Sequence, residues 1–349
     1  MRRLALTADR KMEYCTVSPK DKGKCSHILH QKNDETKEEF ARRVGEYLLK
    51  QLVTSTKENK IYNLRNSQKL NMVNNRENLD ILIHDDDDEI RVAVANKKYG
   101  LDKLIDDESW EVRRAVAEQG YGLDKLVKDE DLDVRAAVAK QGSGLDELIN
   151  DESYVVRAAV ARQKYKLDVL INDKDGTVRA AVAEQGYGLN RLVNDGYYLV
   201  REAVAKQGYG LSKLVNDKDA TVRMTVARQG YGLDKLINDD NHFVRAEVAK
   251  QGYGLDKLIN DKSYFVRAEV AEKGYGLDKL INDEAAGVRI AVAKQSYGLD
   301  KLINDKYFDV RVAVAMQGYG LDKLSSDICI FVREAVENYR LEHPGKKER

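Results

Sequence analysis

Near the start of the chain, the stretch YCTVSPKDKGKCSHILH places Cys15, Cys25, His27 and His30 close together, and the whole chain has 5 histidines. Two thiolates and two imidazoles are a donor set for tetrahedral zinc. The spacing C-x9-C-x-H-x2-H fits no common finger, so the expectation is a structural zinc ion, with a reactive or idle cysteine pair as the alternative. A catalytic zinc needs an open coordination position and a nearby acid, and nothing in the segment specifies them. No nucleophile and base pair, phosphate loop or paired carboxylate stands out elsewhere, so no enzyme is expected.

Three further residue types recur in stripes. Val-Arg or Ile-Arg returns at a constant spacing, with the arginine at Arg91, Arg113, Arg135, Arg157, Arg179, Arg201, Arg223, Arg245, Arg267, Arg289, Arg311 and Arg333. Arginine is suited to gripping phosphates. A fixed aspartate lies six before it, Asp107 with Arg113 or Asp283 with Arg289, and an Asp-Arg ladder joining neighbouring units is the preferred reading. A tyrosine stripe from Tyr99 to Tyr319 could stack bases, but its place between glycines at a helix end favours packing. The lysine of LDKL, from Lys103 to Lys323, is the feature closest to a phosphate track. In most units an aspartate stands one residue earlier and blunts its field, so a solvated face is preferred. Gln119 and its counterparts, and Asn150 and its counterparts, read as ladders bonding backbone groups between units.

The arginine spacing of 22 residues, held without insertion or deletion, is the mark of a solenoid, in which each unit buries its apolar face against its neighbours. In DATVRMTVARQGYGLDKLINDD, Val222, Thr225 and Val226 share one helical face. Asp, Ser or Asn stands four before the arginine at Asp87, Ser109, Asp131, Ser153, Asp175, Asp219, Asn241 and Ser263, where such side chains cap a helix N-terminus. Gly230 supplies a left-handed stop, and Leu233, Leu236 and Ile237 suit a short α or 3₁₀ helix. The predicted fold is all-α: an α-solenoid of about twelve helix plus short-helix repeats over 79–339, with a small N-terminal module.

This frame, with its spaced Asp, Val-Arg, Val-Ala and leucine positions, resembles the leucine-rich repeat variant family, with generic HEAT-like solenoids as the neighbouring reading. The resemblance implies alternating α and 3₁₀ helices in a right-handed superhelix that serves as a binding scaffold. GYG stands here where that family has proline. The chain also lacks the family's four N-terminal cysteines, so the iron-sulfur cluster does not carry over.

Within the rigid frame a few positions vary. Three before, two before and one after the arginine point away from the Val/Ala/Val face or lie on its flank. They hold Trp110, Glu111, Arg114, Leu132, Tyr154, Tyr198, Leu199, His242, Phe243, Tyr264, Phe265 and Phe308. Exposed aromatics suggest an interface, whereas base reading favours Arg, Lys, Asn and Gln. Neutral drift, or burial between helix N-termini, is the alternative.

Lys plus Arg and Asp plus Glu are equal at 59 each, so no global field favours a polyanion or an anionic membrane. No apolar run is long enough to span a bilayer, and the first residues have too short an apolar centre for a secretory signal; a cytoplasmic location is expected. Segment 1–33 is expected to be the zinc module, 34–78 an amphipathic helix and cap, and 340–349 a flexible tail. The expected function is a non-enzymatic scaffold for a protein or peptide, with modular nucleic-acid binding through the Lys and Tyr stripes as the alternative.

Overall fold

The repeat frame folds as expected into an α-solenoid, each repeat a nine-residue helix followed by a four-residue helical turn. The computed structural model describes residues 2–6, 12–17, 25–30 and 35–344, with backbone alone for the strands and for residues 37–38, 48–56 and 59. The chain divides into two units, Met1–Gln141 and Gly142–Arg349.

One repeat explains the others. Asp219 is extended, and its carboxylate accepts the Thr221 N–H at 2.8 Å, opening the helix Ala220–Arg228. Asp87, Asp131, Ser153, Asp175 and Asn241 cap in the same way, while Ser109 and Ser263 do not. The Ser109 hydroxyl instead donates to Glu111 at 2.6 Å. Val222, Thr225, Val226 and Ala227 are buried, as is Leu236 of the turn Leu233–Leu236. That turn mixes both helix types: Gly232 O accepts from the N–H groups of Lys235 and Leu236.

The two glycines of GYG have different reasons. Gly230 takes φ 73° and ends the helix. Gly232, at φ 63°, also lies so close to the preceding repeat that a Cβ would stand 2.5 Å from Val215 Cγ2. The second glycine therefore sets how closely consecutive repeats approach.

The first unit opens with three antiparallel strands, Arg2–Leu6, Met12–Val17 and Cys25–His30, paired in chain order. The sequence reading placed a small module here without assigning strands. The helix Lys37–Tyr62 follows and buries Phe40, Val44 and Ile61. Next, Asn66–Asn74 occupies the repeat register one unit ahead of Asp88–Asn96, with Lys69 in the arginine position. The nine-residue helices Trp110–Glu118 and Leu132–Lys140 complete the unit.

The second unit repeats the pattern from the turn Leu145–Leu148 to the helix Ile330–Glu342. Exposed Glu337 stands where the preceding repeat buries Ala315, giving this end a polar cap.

Arginine and aspartate do form a ladder, but with a different pairing from the one the sequence suggests. Arg267 donates from Nε and Nη2 to the carboxylate of Asp283 in the next repeat at 2.6 and 2.8 Å, and from Nη1 to the backbone carbonyl of Asp261, six residues back, at 2.8 Å. Each aspartate thus gives its carbonyl to its own repeat's arginine and its carboxylate to the one before. Both oxygens are needed because a guanidinium fork has five donors and its planar edge fits a carboxylate. The pattern holds for Arg91–Asp107 and Arg113–Asp129 in the first unit, and from Arg157–Asp173 to Arg311–Asp327 in the second. Lys69 with buried Asp85, at 2.8 Å, takes the corresponding place in the helix Asn66–Asn74.

Candidate binding surface

Because Val and Ala fill the inner face of each helix, the variable positions reach the surface. In the first unit Trp110, Glu111 and Arg114 are half-buried on one helix and Leu132 is exposed on the next. Arg114 pairs with Glu118 at 2.8 Å. In the second unit Tyr154, Phe243, Tyr264, Phe265 and Phe308 are exposed, while Tyr198, Leu199 and His242 are half-buried.

Four of these residues come together. On the helices His242–Lys250 and Tyr264–Glu272 the rings run Phe243, His242, Phe265, Tyr264, with successive centroids 4.1, 5.5 and 4.2 Å apart. Phe243 and Phe265 also meet directly at 5.9 Å. Stacking fixes the rings, yet Phe243 is 53% exposed, Tyr264 43% and Phe265 44%. A ledge of ordered aromatic surface therefore faces solvent. Beyond it the next helix carries Ala286 and Gly287; a Cβ on Gly287 would touch the Tyr264 ring at 3.5 Å, so the ledge ends at a small-residue step. Tyr198 meets Tyr197 edge on at 5.5 Å, and Phe308 stacks with Phe331 at 5.8 Å.

The neighbouring helices carry ion pairs toward their C-terminal ends. Lys206 pairs with Glu202, Arg228 with buried Glu247, Lys250 with Glu269 and Lys294 with Glu272, at 2.7 to 3.5 Å. Such a surface attracts a polyanion weakly.

The lysines of LDKL are also engaged. Lys213, Lys279, Lys301 and Lys323 bond to Asn194, Asn260, Asn282 and Asn304, and Lys125 to Asp106. This corrects the reading of those asparagines as backbone ladders: a side-chain carbonyl facing an ammonium of the next repeat is the stronger partner. The glutamines fit their expectation better, with Gln141, Gln207 and Gln295 donating to the carbonyls of Glu118, Glu184 and Glu272. The stripe tyrosines are half exposed, Tyr209 at 42% for example, and of these stripe residues only Tyr165 hydrogen-bonds through its hydroxyl to another described residue, Asp146.

Two residues of this surface were not among the expected binding residues. Phe331 lies two before Arg333 and was legible as a stripe member; Met316 lies five after Arg311, a position filled by a charged residue in most repeats. The zinc ligands expected at Cys15, Cys25, His27 and His30 involve side chains outside those described. Among the described residues no group of three or more His, Cys, Asp or Glu is placed to hold a metal ion, and no helix is long and apolar enough to cross a membrane.

No protein-family model matches the chain, and no curated protein matches its sequence. Among solved structures, YibA from Escherichia coli matches over 89% of this chain and 99% of that one, at 16% identity and a TM-score of 0.19. At that TM-score the fold rests on the chain's own geometry.

Proposed function

We propose that the protein is a non-enzymatic repeat scaffold of the leucine-rich repeat variant type that binds a protein or peptide through the variable side chains of its helices. The observation that carries this reading is the aromatic ledge of His242, Phe243, Tyr264 and Phe265. Rings held in place by one another lose little freedom on docking and bury a large apolar area. Trp110, Glu111, Arg114, Leu132, Tyr154, Tyr198, Leu199 and Phe308 occupy equivalent positions and would add modest contacts. The test is affinity capture from lysate after nuclease, with Phe243→Ala plus Phe265→Ala as the control. We expect a discrete protein that the double variant fails to retain; equal retention by both would overturn the proposal.

A second reading, nucleic-acid binding, draws support from the half-exposed rings of the tyrosine stripe. It requires binding that weakens steeply with salt, whereas the equal numbers of basic and acidic residues, 59 each, favour a partner held with little salt dependence.

The set Cys15, Cys25, His27 and His30 belongs to the same proposal as a structural zinc site. Metal analysis of the full chain with and without Cys25→Ser tests it: about one zinc per chain, lost in the variant, is expected for a four-ligand site.

A further inference from the structure

The last described helix departs from the frame in a way that builds a groove. Where the preceding repeat has Gln-Gly-Tyr-Gly from Gln317, this one has Tyr339, Arg340, Leu341 and Glu342, with no glycine to turn the chain. The helix Ile330–Glu342 therefore runs 13 residues, against nine for Phe308–Met316 beside it. Tyr339 closes over Gly318, where a Cβ would stand 2.3 Å from its ring, and stacks on His343 at 4.2 Å. Between the two helices lies a groove of about 340 Å³. Half-buried Val312 and Ala335 line it, with Met316 63% and Phe331 58% exposed, and Glu334 and Glu342 at its border.

Its charge sets this groove apart. Glu334 occupies the same repeat position as Glu202, which pairs with Lys206 one turn on at 2.7 Å. One turn after Glu334 stands Asn338, and the same position in the neighbouring helix holds Met316. Neither Glu334 nor Glu342 has an ion pair or hydrogen bond through its side chain to any other described residue. Among the described residues, the surface thus combines an apolar trough with two carboxylates that no cation pairs.

We propose that this groove receives a short basic amphipathic peptide segment of a partner protein, one bulky apolar side chain entering between Met316 and Phe331 while flanking Lys or Arg residues meet Glu334 and Glu342. The inference deepens the scaffold reading and rests on it, by giving the chemistry of the partner at one place on the variable surface. An acidic segment would meet two like charges in a partly desolvated setting, and an oligonucleotide many more.

The test uses the full chain and two fluorescein-labelled synthetic peptides, each with a pair of leucines, flanked by lysines in one and by glutamates in the other, read by fluorescence anisotropy. The lysine peptide is expected to bind at least tenfold more tightly than its acidic twin. Glu334→Gln plus Glu342→Gln should weaken it about tenfold, and Ala335→Trp, which fills the trough, should abolish it. If Ala335→Trp lowers the melting temperature, Met316→Lys serves instead, since that side chain is exposed and the new ammonium would compensate Glu334. Equal binding of both peptides, a preference for the acidic twin or for a labelled oligonucleotide, a dimer lost on Met316→Lys, or indifference to all the groove variants would overturn the proposal. Lysine-peptide binding lost with Phe243→Ala plus Phe265→Ala but not with the groove variants would overturn the groove and keep the ledge. Loss with the groove variants alone would keep the groove, leaving lysate capture to decide the ledge.

Discussion

The guanidinium of Arg267 and the carboxylate of Asp283 meet edge to edge across consecutive repeats, at 2.6 and 2.8 Å, with side-chain exposures of 11% and 8%. Removing one partner strands the other in a nearly dry setting, which costs about 3–5 kcal/mol for buried pairs. We therefore expect Arg267→Ala to shift the urea midpoint strongly, and Arg267→Lys to recover little, because an ammonium cannot present the parallel fork that also reaches the Asp261 carbonyl. Repeats couple only to neighbours, so loss of cooperativity is a second readout. An unchanged midpoint in Arg267→Ala would show that the ladder does not join the repeats.

The same pair sets an acid limit. Burial alone would raise the Asp283 carboxyl, but the hydrogen bond from Arg267, the N–H of Ala285 and the charges of Arg267 and Arg289 outweigh it and hold the group below the usual carboxylate range. Asp129, Asp173, Asp195, Asp217, Asp261 and Asp305 are held low by the same balance. A carboxyl whose folded pKa is depressed stabilises fully above its unfolded value, about 3.9, and loses that contribution as pH falls through the folded value. Stability should therefore be flat above about pH 5 and fall below about pH 4. Asp283→Asn, less stable near neutrality, should converge on the parent as the pH drops; a constant gap across pH 2 to 7 would contradict this.

Backbone strain gives opposite effects at two sites. Gly254 sits at φ 61°, with its missing Cβ 2.2 Å from Ile237 Cδ1, so Gly254→Ala should destabilise by more than 1 kcal/mol, roughly, from conformation and overlap together. In the repeat that reads KYK, Lys164 takes φ 59° without being glycine. Lys164→Gly should relieve that strain and raise the urea midpoint, a gain of about 1 kcal/mol at most after the entropy of a more flexible unfolded chain.

Much of this was legible in the sequence because the repeat supplies many independent readings of one unit. Asp219 reads as a cap, Val222 and Val226 as core and Gly230 as a stop on local grounds alone, and each takes that place. What needed coordinates was any relation between repeats. Asp283 lies six residues from Arg289 and sixteen from Arg267, and sequence proximity pointed to the nearer arginine, whereas the stacking of helices brings up the other. Gly232 is a site of close approach to Val215 of the preceding repeat, a contact that its own repeat does not reveal. The ledge was legible residue by residue, since Phe243 and Phe265 break the frame, but their stacking is a relation between helices. Met316 was hidden because its position usually carries a charge.

The ledge itself yields a stability test that separates an interface from packing. If Phe243 and Phe265 were there to hold their helices together, replacing both with serine would cost several kcal/mol, as large-to-small changes in a core do. Each is instead about half exposed and packs against other rings of the ledge. The lost ring contacts are worth about 0.5–1.5 kcal/mol per pair, partly offset by removing apolar surface from water. We expect Phe243→Ser plus Phe265→Ser to leave the melting temperature within a few degrees of the parent and to reduce binding of a fluorescent apolar dye, while Val244→Ser and Val266→Ser, at fully buried neighbours, unfold it by a much larger margin. If the double phenylalanine variant melts as early as the valine variants, the rings are core, and the surface they form is not held for a partner.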